Sequence, residues 1–297
     1  MSILVNKETR ILIQGITGAE GSRCCKYMKE YGAQVVAGVT PGKGGQIVEG
    51  VSVYDTVKEA TAAHPGIDAT YVTVPTAFVK DAVLEAVSNR VPLIVILTEY
   101  VAPADSSYFV AMARKYGSRV VGPSSVGIIS PAKSKIGVIG SGEVQRVFTP
   151  GPIGVISKSG GMCAEIAQTL TRNDYGQSTV VGIGGDMIVG SDYVDMLKLF
   201  ADDPETKAIV MMGEVGGTYE EDAAEYIAST KYPKPVIALI GGKFAAQLKT
   251  GVVLGHAGAI VSGGKGSFDS KVAALKSAGV HIAASVEEIP LILKRIL

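Results

Sequence analysis

One histidine stands among small residues in Gly255-His256-Ala257-Gly258-Ala259-Ile260, late in a chain that has only three histidines. Small neighbours let something bulky approach the imidazole. Upstream, Ser157-Lys158-Ser159-Gly160-Gly161 precedes a helical pattern. That is the arrangement of a phosphate-binding helix start, where backbone N–H groups and two hydroxyls can cradle a dianion. Together the two segments predict a histidine that carries a phosphoryl group. This chemistry needs one ring nitrogen free to attack phosphorus and the other fixed by an acceptor that raises nucleophilicity. Glu214, in Gly213-Glu214-Val215-Gly216-Gly217, ends an apolar strand and is placed to supply that carboxylate. Plainer roles fit the same residues: a core or capping histidine, a loop glutamate, ordinary helix capping by Ser159. No partner ligands stand at useful spacing from His256, so no metal is expected. Gly182-Ile183-Gly184-Gly185-Asp186 and Gly263-Gly264-Lys265-Gly266 are further glycine-rich turns in the same half of the chain.

A second candidate site lies near the amino terminus. Gly15-Ile16-Thr17-Gly18-Ala19-Glu20-Gly21 follows an apolar strand and opens a helix. Glycines 15, 18 and 21 let backbone approach a phosphate at the helix start. The dinucleotide pattern is not met, because Thr17 intervenes and the second strand ends without an acidic residue for a ribose hydroxyl. That strand runs instead into Val39-Thr40-Pro41-Gly42-Lys43-Gly44-Gly45. Lys43 there suits a ligand with an extra phosphate, which fits NADP and fits coenzyme A. A tight glycine turn without a ligand is the plainer alternative.

These segments need strands and helices to position them. Strands are predicted at 10–14, 34–39, 69–74, 93–97 and 118–121, with helices over 18–31 and 80–89. The pattern breaks up between Gly122 and Gly151, where Pro123, Pro131, Pro150 and Pro152 intervene, and a domain boundary is placed near its start. A second series has strands at 153–156, 180–183, 208–212 and 236–240, and helices over 192–200 and 220–230. Alternating strands and helices imply mainly parallel sheets of the α/β class with right-handed crossovers. No short repeat or low-complexity tract is visible.

Composition narrows the function classes. The 297 residues suffice for two domains, and 37 glycines with 47% hydrophobic residues suit βα turns and buried strands. Charged residues are 19%, below the roughly 25% typical of soluble domains, which leaves room for a face covered by a partner. The 28 basic residues balance 28 acidic ones, so there is no field for nucleic acid and no polybasic segment for a membrane. Cys24 and Cys25 are adjacent and poorly placed to pair with each other, and Cys163 is the third cysteine. That usage suggests a reducing compartment. With no signal-like start and no long apolar stretch, a cytoplasmic protein is expected.

The motifs resemble the α subunits of succinyl-CoA synthetase, the ADP- or GDP-forming succinate–CoA ligases, from Ser2 to the carboxy terminus. The most specific pieces are Gly38 to Gly45, Tyr175-Gly176-Gln177-Ser178-Thr179, Gly182 to Asp186, Gly213 to Gly217 and Gly255 to Ile260. The resemblance implies a Rossmann-like CoA-binding domain over 1–123 and a flavodoxin-like ligase domain over 124–297. It implies a β subunit that carries ATP or GTP with Mg²⁺ on an ATP-grasp fold, in an αβ or α2β2 assembly. By the same resemblance His256 is phosphorylated, Glu214 hydrogen-bonds it, and Ser157, Ser159, Gly160 and Gly161 hold the phosphate. Gly15, Thr17, Gly18, Gly21, Val39, Pro41 and Lys43 match CoA-binding positions, with Tyr71, Val74 and Glu99 nearby on matching strand ends. Ser124, Ser125 and Gly161 fall where the carboxylic acid substrate sits.

Three departures from the succinate pattern lie near the acid. Gly122-Pro123-Ser124-Ser125-Val126-Gly127 replaces Gly-Pro-Asn-Cys-Pro-Gly, Gly161-Met162 replaces a threonine–leucine pair, and the approach to the histidine from Lys243 to Leu254 is longer. These features look like ATP-citrate lyase and citryl-CoA synthetase. Succinate is favoured by the amino-terminal half, by Gln177-Ser178-Thr179 and by the overall length, with citrate or malate as alternatives. A non-catalytic CoA-sensing protein would have no use for His256 with Glu214. An NADP oxidoreductase would need a catalytic acid or tyrosine–lysine pair that does not stand out.

Overall fold

The computed structural model describes residues 2–140, 144–244, 256 and 266–297. The first half is built from β1 (Arg10–Gln14), α1 (Ala19–Glu30), β2 (Gln34–Val39), β3 (Ile47–Val48), β4 (Val51–Tyr54), α2 (Val57–Ala63), β5 (Ala69–Val72), α3 (Val79–Ser88), β6 (Leu93–Ile96), α4 (Pro103–Tyr116) and β7 (Arg119–Val121). The second continues with β8 (Gly127–Ser130), β9 (Ser134–Ile136), α5 (Val144–Val147), β10 (Pro150–Ser157), α6 (Gly160–Arg172), β11 (Gln177–Gly182), α7 (Tyr193–Ala201), β12 (Ala208–Glu214), α8 (Tyr219–Thr230), β13 (Val236–Gly241), α9 (Phe268–Ser277), β14 (His281–Ala283) and α10 (Glu288–Ile296).

The strands form two seven-stranded sheets, ordered β3-β4-β2-β1-β5-β6-β7 and β14-β13-β12-β10-β11-β8-β9. All pairings are parallel except β3 with β4, β8 with β11 and β8 with β9. The class is α/β. The strand sequences explain their burial: Leu93-Ile94-Val95-Ile96 is apolar throughout and buried on both faces, as a parallel strand under helices must be. The helices carry one apolar stripe. In α1 the buried positions are Gly21, Cys24, Cys25 and Met28, and in α6 they are Cys163, Ile166, Ala167 and Leu170. Both sets follow the i, i+3, i+4, i+7 spacing of a single helix face.

Each sheet has a point where chain order reverses, at β1 in the first and β10 in the second. Ligands bind α/β sheets beyond the carboxyl ends of strands at such points. Ser157 is level with Gly182 on one side and Met212 on the other, so the ends of β10, β11 and β12 converge. Among the described residues no helix is long and apolar enough to cross a membrane.

The segment after Gly122 is not the irregular connection expected from its prolines and glycines. It contains the β8–β9 hairpin, which caps the second sheet by antiparallel pairing of Ile128 with Val181. The turn between these strands holds Pro131, which needs no ladder N–H. The two sheets share a core: Ile11, Ile13, Tyr71 and Val95 of the first cluster with Ile128, Ile136, Ile156 and Val181 of the second.

Candidate active site

The imidazole and carboxylate meet. His256 Nδ1 lies 2.7 Å from Glu214 Oε2, both partly buried. An ionised carboxylate only accepts, so Nδ1–H donates and, in the neutral ring, Nε2 is left with its lone pair. Nε2 makes no hydrogen bond among the described residues. The Glu214 hydrogen bond raises the imidazole pKa above its ordinary 6.5, against the lowering effect of burial. Glu99 also raises it and Lys158 lowers it, so both charges are felt at the ring. Gly185 is the floor beneath the histidine: a Cβ there would come within 2.7 Å of Nδ1 and 2.6 Å of Cδ2. The rest of Gly255 to Ile260, and residues 263–265 of the last glycine-rich turn, lie outside the described residues.

The loop at the start of α6 divides its residues differently from the expectation. Ser157 is fully buried, donates to the Ser159 carbonyl at 2.8 Å and accepts from the Ser159 N–H at 3.1 Å. Its hydroxyl shapes the loop. Ser159 is the helix cap, accepting from the Met162 N–H at 3.5 Å. Gly160 lies against the Val126 side chain, where no Cβ would fit, whereas Gly161 faces open space. The N–H groups of Gly160 and Gly161 head the helix, where no intrahelical acceptor exists.

The 122–127 loop is also divided. Ser125 is buried; it donates to Gly182 O and accepts from the Gly127 N–H at 3.0 Å. It is a strut between β8 and β11. Ser124 is partly exposed in a left-handed conformation, φ 61°. Gly184 packs on Pro123 and Gly185 on His256, which brings this loop beside the imidazole.

In the first sheet Gly15 turns at φ 87°, its N–H donating to Val39 O at 2.8 Å. Gly18 caps α1 with no side-chain bond. Thr17 N–H reaches Thr40 Oγ1 at 3.4 Å, which joins the turn to the Pro41–Lys43 loop, and both of those residues are exposed. Val74 is partly buried and Glu99 is exposed. Three further residues at positions matched to CoA binding are buried. Tyr71 is fully buried in the shared core, Gly21 is buried under the turn, and Val39 is buried at its strand end. Residue type and position near a strand end do not reveal which face of the strand is covered.

Sequence reasoning passed over several residues at this site. The motif Ser157 to Gly161 gives Lys158 no role by itself. Lys158 pairs with Glu220 at 2.8 Å, and Glu220 accepts the Glu214 N–H at 3.1 Å. In sequence Glu220-Glu221-Asp222 reads as the acidic first turn any helix favours. Asp186 accepts from the Tyr100 and Val101 N–H groups at 3.1 and 3.0 Å. Among the described residues no cluster of three or more His, Cys, Asp or Glu side chains could hold a metal ion.

The chain has two mainly parallel α/β sheets, with glycine turns at both switch points and a histidine–glutamate pair at the second, and its family is that of the CoA ligases. The CoA binding domain family matches residues 6–100 and the CoA-ligase family residues 156–281. Succinate–CoA ligase [ADP-forming] subunit alpha 1 of Archaeoglobus fulgidus is 43% identical over 297 residues, 100% of this chain and 99% of that protein. The subunit alpha of Aquifex aeolicus is 46% identical over 284 residues, 95% of this chain and 90% of that protein. The chain belongs to the family of ADP-forming succinate–CoA ligase α subunits. In three dimensions it is similar to a mutant ATP citrate lyase of Methanosaeta concilii in complex with (3S)-citryl-CoA, with a TM-score of 0.89 at 25% identity. That match covers 99% of this chain and 50% of the lyase, so the chain spans about half the lyase's length.

Proposed function

We propose that this chain supplies the phosphohistidine and the CoA site of a ligase that joins succinate to coenzyme A at the expense of ATP or GTP. The observation that carries the reading is the 2.7 Å contact of His256 Nδ1 with Glu214, which leaves Nε2 to attack phosphorus. An N–P bond forms at Nε2 as the bond from the γ-phosphorus to the nucleotide diphosphate breaks. A succinate carboxylate oxygen then attacks the same phosphorus, the N–P bond breaks, and an acyl phosphate forms. The CoA thiolate adds to the acyl carbon and inorganic phosphate leaves. Glu214 stabilises the imidazole through each transfer, and the small residues around it admit the incoming acid.

The helix start at Ser159, Gly160 and Gly161 is assigned to the phosphoryl group, with Ser124 and Gly161 toward the acid. Gly15, Thr17, Gly18, Pro41, Lys43, Val74 and Glu99 are assigned to CoA. The CoA-binding half is taken as residues 1–123 and the ligase half as 124–297, and the break between the sheets after Val121 supports that division. ATP or GTP with Mg²⁺ is assigned to a β subunit in an αβ or α2β2 assembly, as the α-subunit names of the relatives imply. Three free, buried cysteines favour a cytoplasmic setting.

The test is one experiment on the reconstituted two-subunit enzyme with labelled nucleotide. Acid-labile, base-stable label is expected on His256 and is expected to chase into thioester formation faster with succinate than with citrate or malate. His256→Asn must lose the label and retain CoA binding. A citrate preference overturns the choice of acid, and an unlabelled His256 overturns the mechanism.

A further inference from the structure

A closed cluster of charges lies directly behind the His256–Glu214 pair, and the reaction as described above makes no use of it. Glu220, in the first turn of α8, is fully buried. Its Oε1 accepts the Glu214 backbone N–H at 3.1 Å and stands 2.8 Å from Lys158 Nζ. Its Oε2 pairs with Lys271 Nζ of α9, also fully buried. Lys271 in turn reaches Glu221 at 3.0 Å and the Gly217 carbonyl at 2.9 Å. The Lys158 ammonium lies 6.0 and 5.4 Å from the ring centres of Tyr193 and Tyr219. Gly213 makes the approach possible, since a Cβ there would meet Glu220 Oε1 at 2.7 Å.

Buried ion clusters contribute little to stability, because the desolvation of each charge offsets most of the attraction. This one joins two segments that carry site residues to the turn that follows the second. Lys158 lies between Ser157 and Ser159 in the phosphate loop. The Glu214 N–H belongs to the end of β12. Gly217, bonded to Lys271, belongs to the turn after it.

We propose that Glu220 is a positioning residue for the reaction: one carboxylate holds both the backbone of the acid that orients His256 and the lysine inside the phosphate loop. The proposal rests on the phosphohistidine reading above and goes beyond it by assigning a control on the geometry and charge at Nε2. Glu220 and Glu221 balance Lys158 and Lys271, so the charge felt by the imidazole is set by Glu214, by Glu99 and by how far Lys158 is neutralised. Removing the Glu220 charge weakens the bond that holds the Glu214 backbone and unmasks Lys158, and both changes lower the proton affinity of the ring. Removing Lys158 takes away a lowering influence and raises it.

Two variants test this in the full chain. Glu220→Gln keeps the shape and removes the charge. Lys158→Met keeps the stem between the tyrosine rings and leaves Glu220 paired with Lys271. With only His64, His256 and His281 in the chain, the His256 ring is readily assigned in an NMR titration. The His256 pKa is expected to fall in Glu220→Gln and to rise in Lys158→Met. In the two-subunit enzyme, both variants are expected to slow His256 phosphorylation on the order of tenfold to a hundredfold, the loss typical of removing a supporting partner. The nucleotide KM should stay put. A purely structural role lowers the melting temperature while leaving the His256 titration at its wild-type position, and that result overturns the proposal. If Glu220→Gln does not fold, Lys158→Met decides alone, an unchanged titration refuting the claim. The titration needs no partner, so it decides the positioning claim even if wild-type His256 never takes up phosphate, a failure that would fall on the proposed function instead.

Discussion

An imidazole that takes up and releases a phosphoryl group needs one nitrogen bare and the other tied, and in the reaction proposed for His256 the tie is Glu214. The same bond links stability to pH. Because Glu214 raises the folded-state pKa of His256, the protonated ring is favoured in the folded chain. The resulting stabilisation is fully present below the ordinary imidazole value of 6.5 and is lost as pH rises through the raised folded-state value. Glu214→Gln therefore narrows the melting-temperature gap to wild type as pH is raised from about 6 to 8, the range in which imidazoles titrate. A gap that widens with pH would contradict the pairing. The contact spans 42 residues of sequence, and it could be anticipated because both residues occupy strand-end or glycine-rich positions. Ser157, Ser125 and Tyr71 could not be sorted the same way. A serine at a strand end can face a ligand or bond its own loop, and only the folded backbone decides which. In Ser157 the loop carbonyl at 2.8 Å wins the hydroxyl.

At the scale of elements, the βα turn at Gly15 depends on how closely α1 approaches it. Gly21 sits inside the helix, where alanine is normally better by roughly 0.8–1 kcal/mol. A Cβ at Gly21 would press on the Gly15 carbonyl oxygen and come within 2.8 Å of the Gly15 carbonyl carbon and Ile16 Cα, all backbone. Overpacking against atoms that cannot rotate away costs about 1–3 kcal/mol, which exceeds the propensity gain. Gly21→Ala is expected to lower the melting temperature and to weaken CoA binding measured by calorimetry, and an unchanged affinity would detach the turn from the ligand. Most elements were legible where apolar runs were unbroken: β1 and β2 begin and end at the predicted residues. The β8–β9 hairpin was hidden because its short strands flank Pro131 and because antiparallel pairing to β11 is a tertiary choice. The β3–β4 edge was equally illegible, as two and four residues carry too little periodicity.

Across the whole molecule the two sheets act on one another through a shared core and a single carboxylate. Ile136 of β9 packs in the same cluster as Ile11 of β1, and the Gly137 N–H reaches Met28 of α1 at 3.4 Å. On the side of the candidate active site, Asp186 accepts two N–H groups from the segment that leads into α4. That segment also carries Glu99, whose charge reaches His256 from the other sheet. Asp186 thus ties the proposed CoA side to the floor of the imidazole one residue away, at Gly185. Hydrogen bonds to a charged group contribute roughly 1.5–3 kcal/mol each, and a buried N–H left without an acceptor adds its own penalty. Asp186→Ala is expected to lower the melting temperature by on the order of 5 °C and to speed amide exchange at Tyr100 and Val101. With Glu99 released, the His256 pKa should also fall, because one of the charges that raises it is no longer held near the ring. Faster exchange at those two amides without any change in the His256 titration would mean that the latch holds the sheets together but does not carry charge from one to the other.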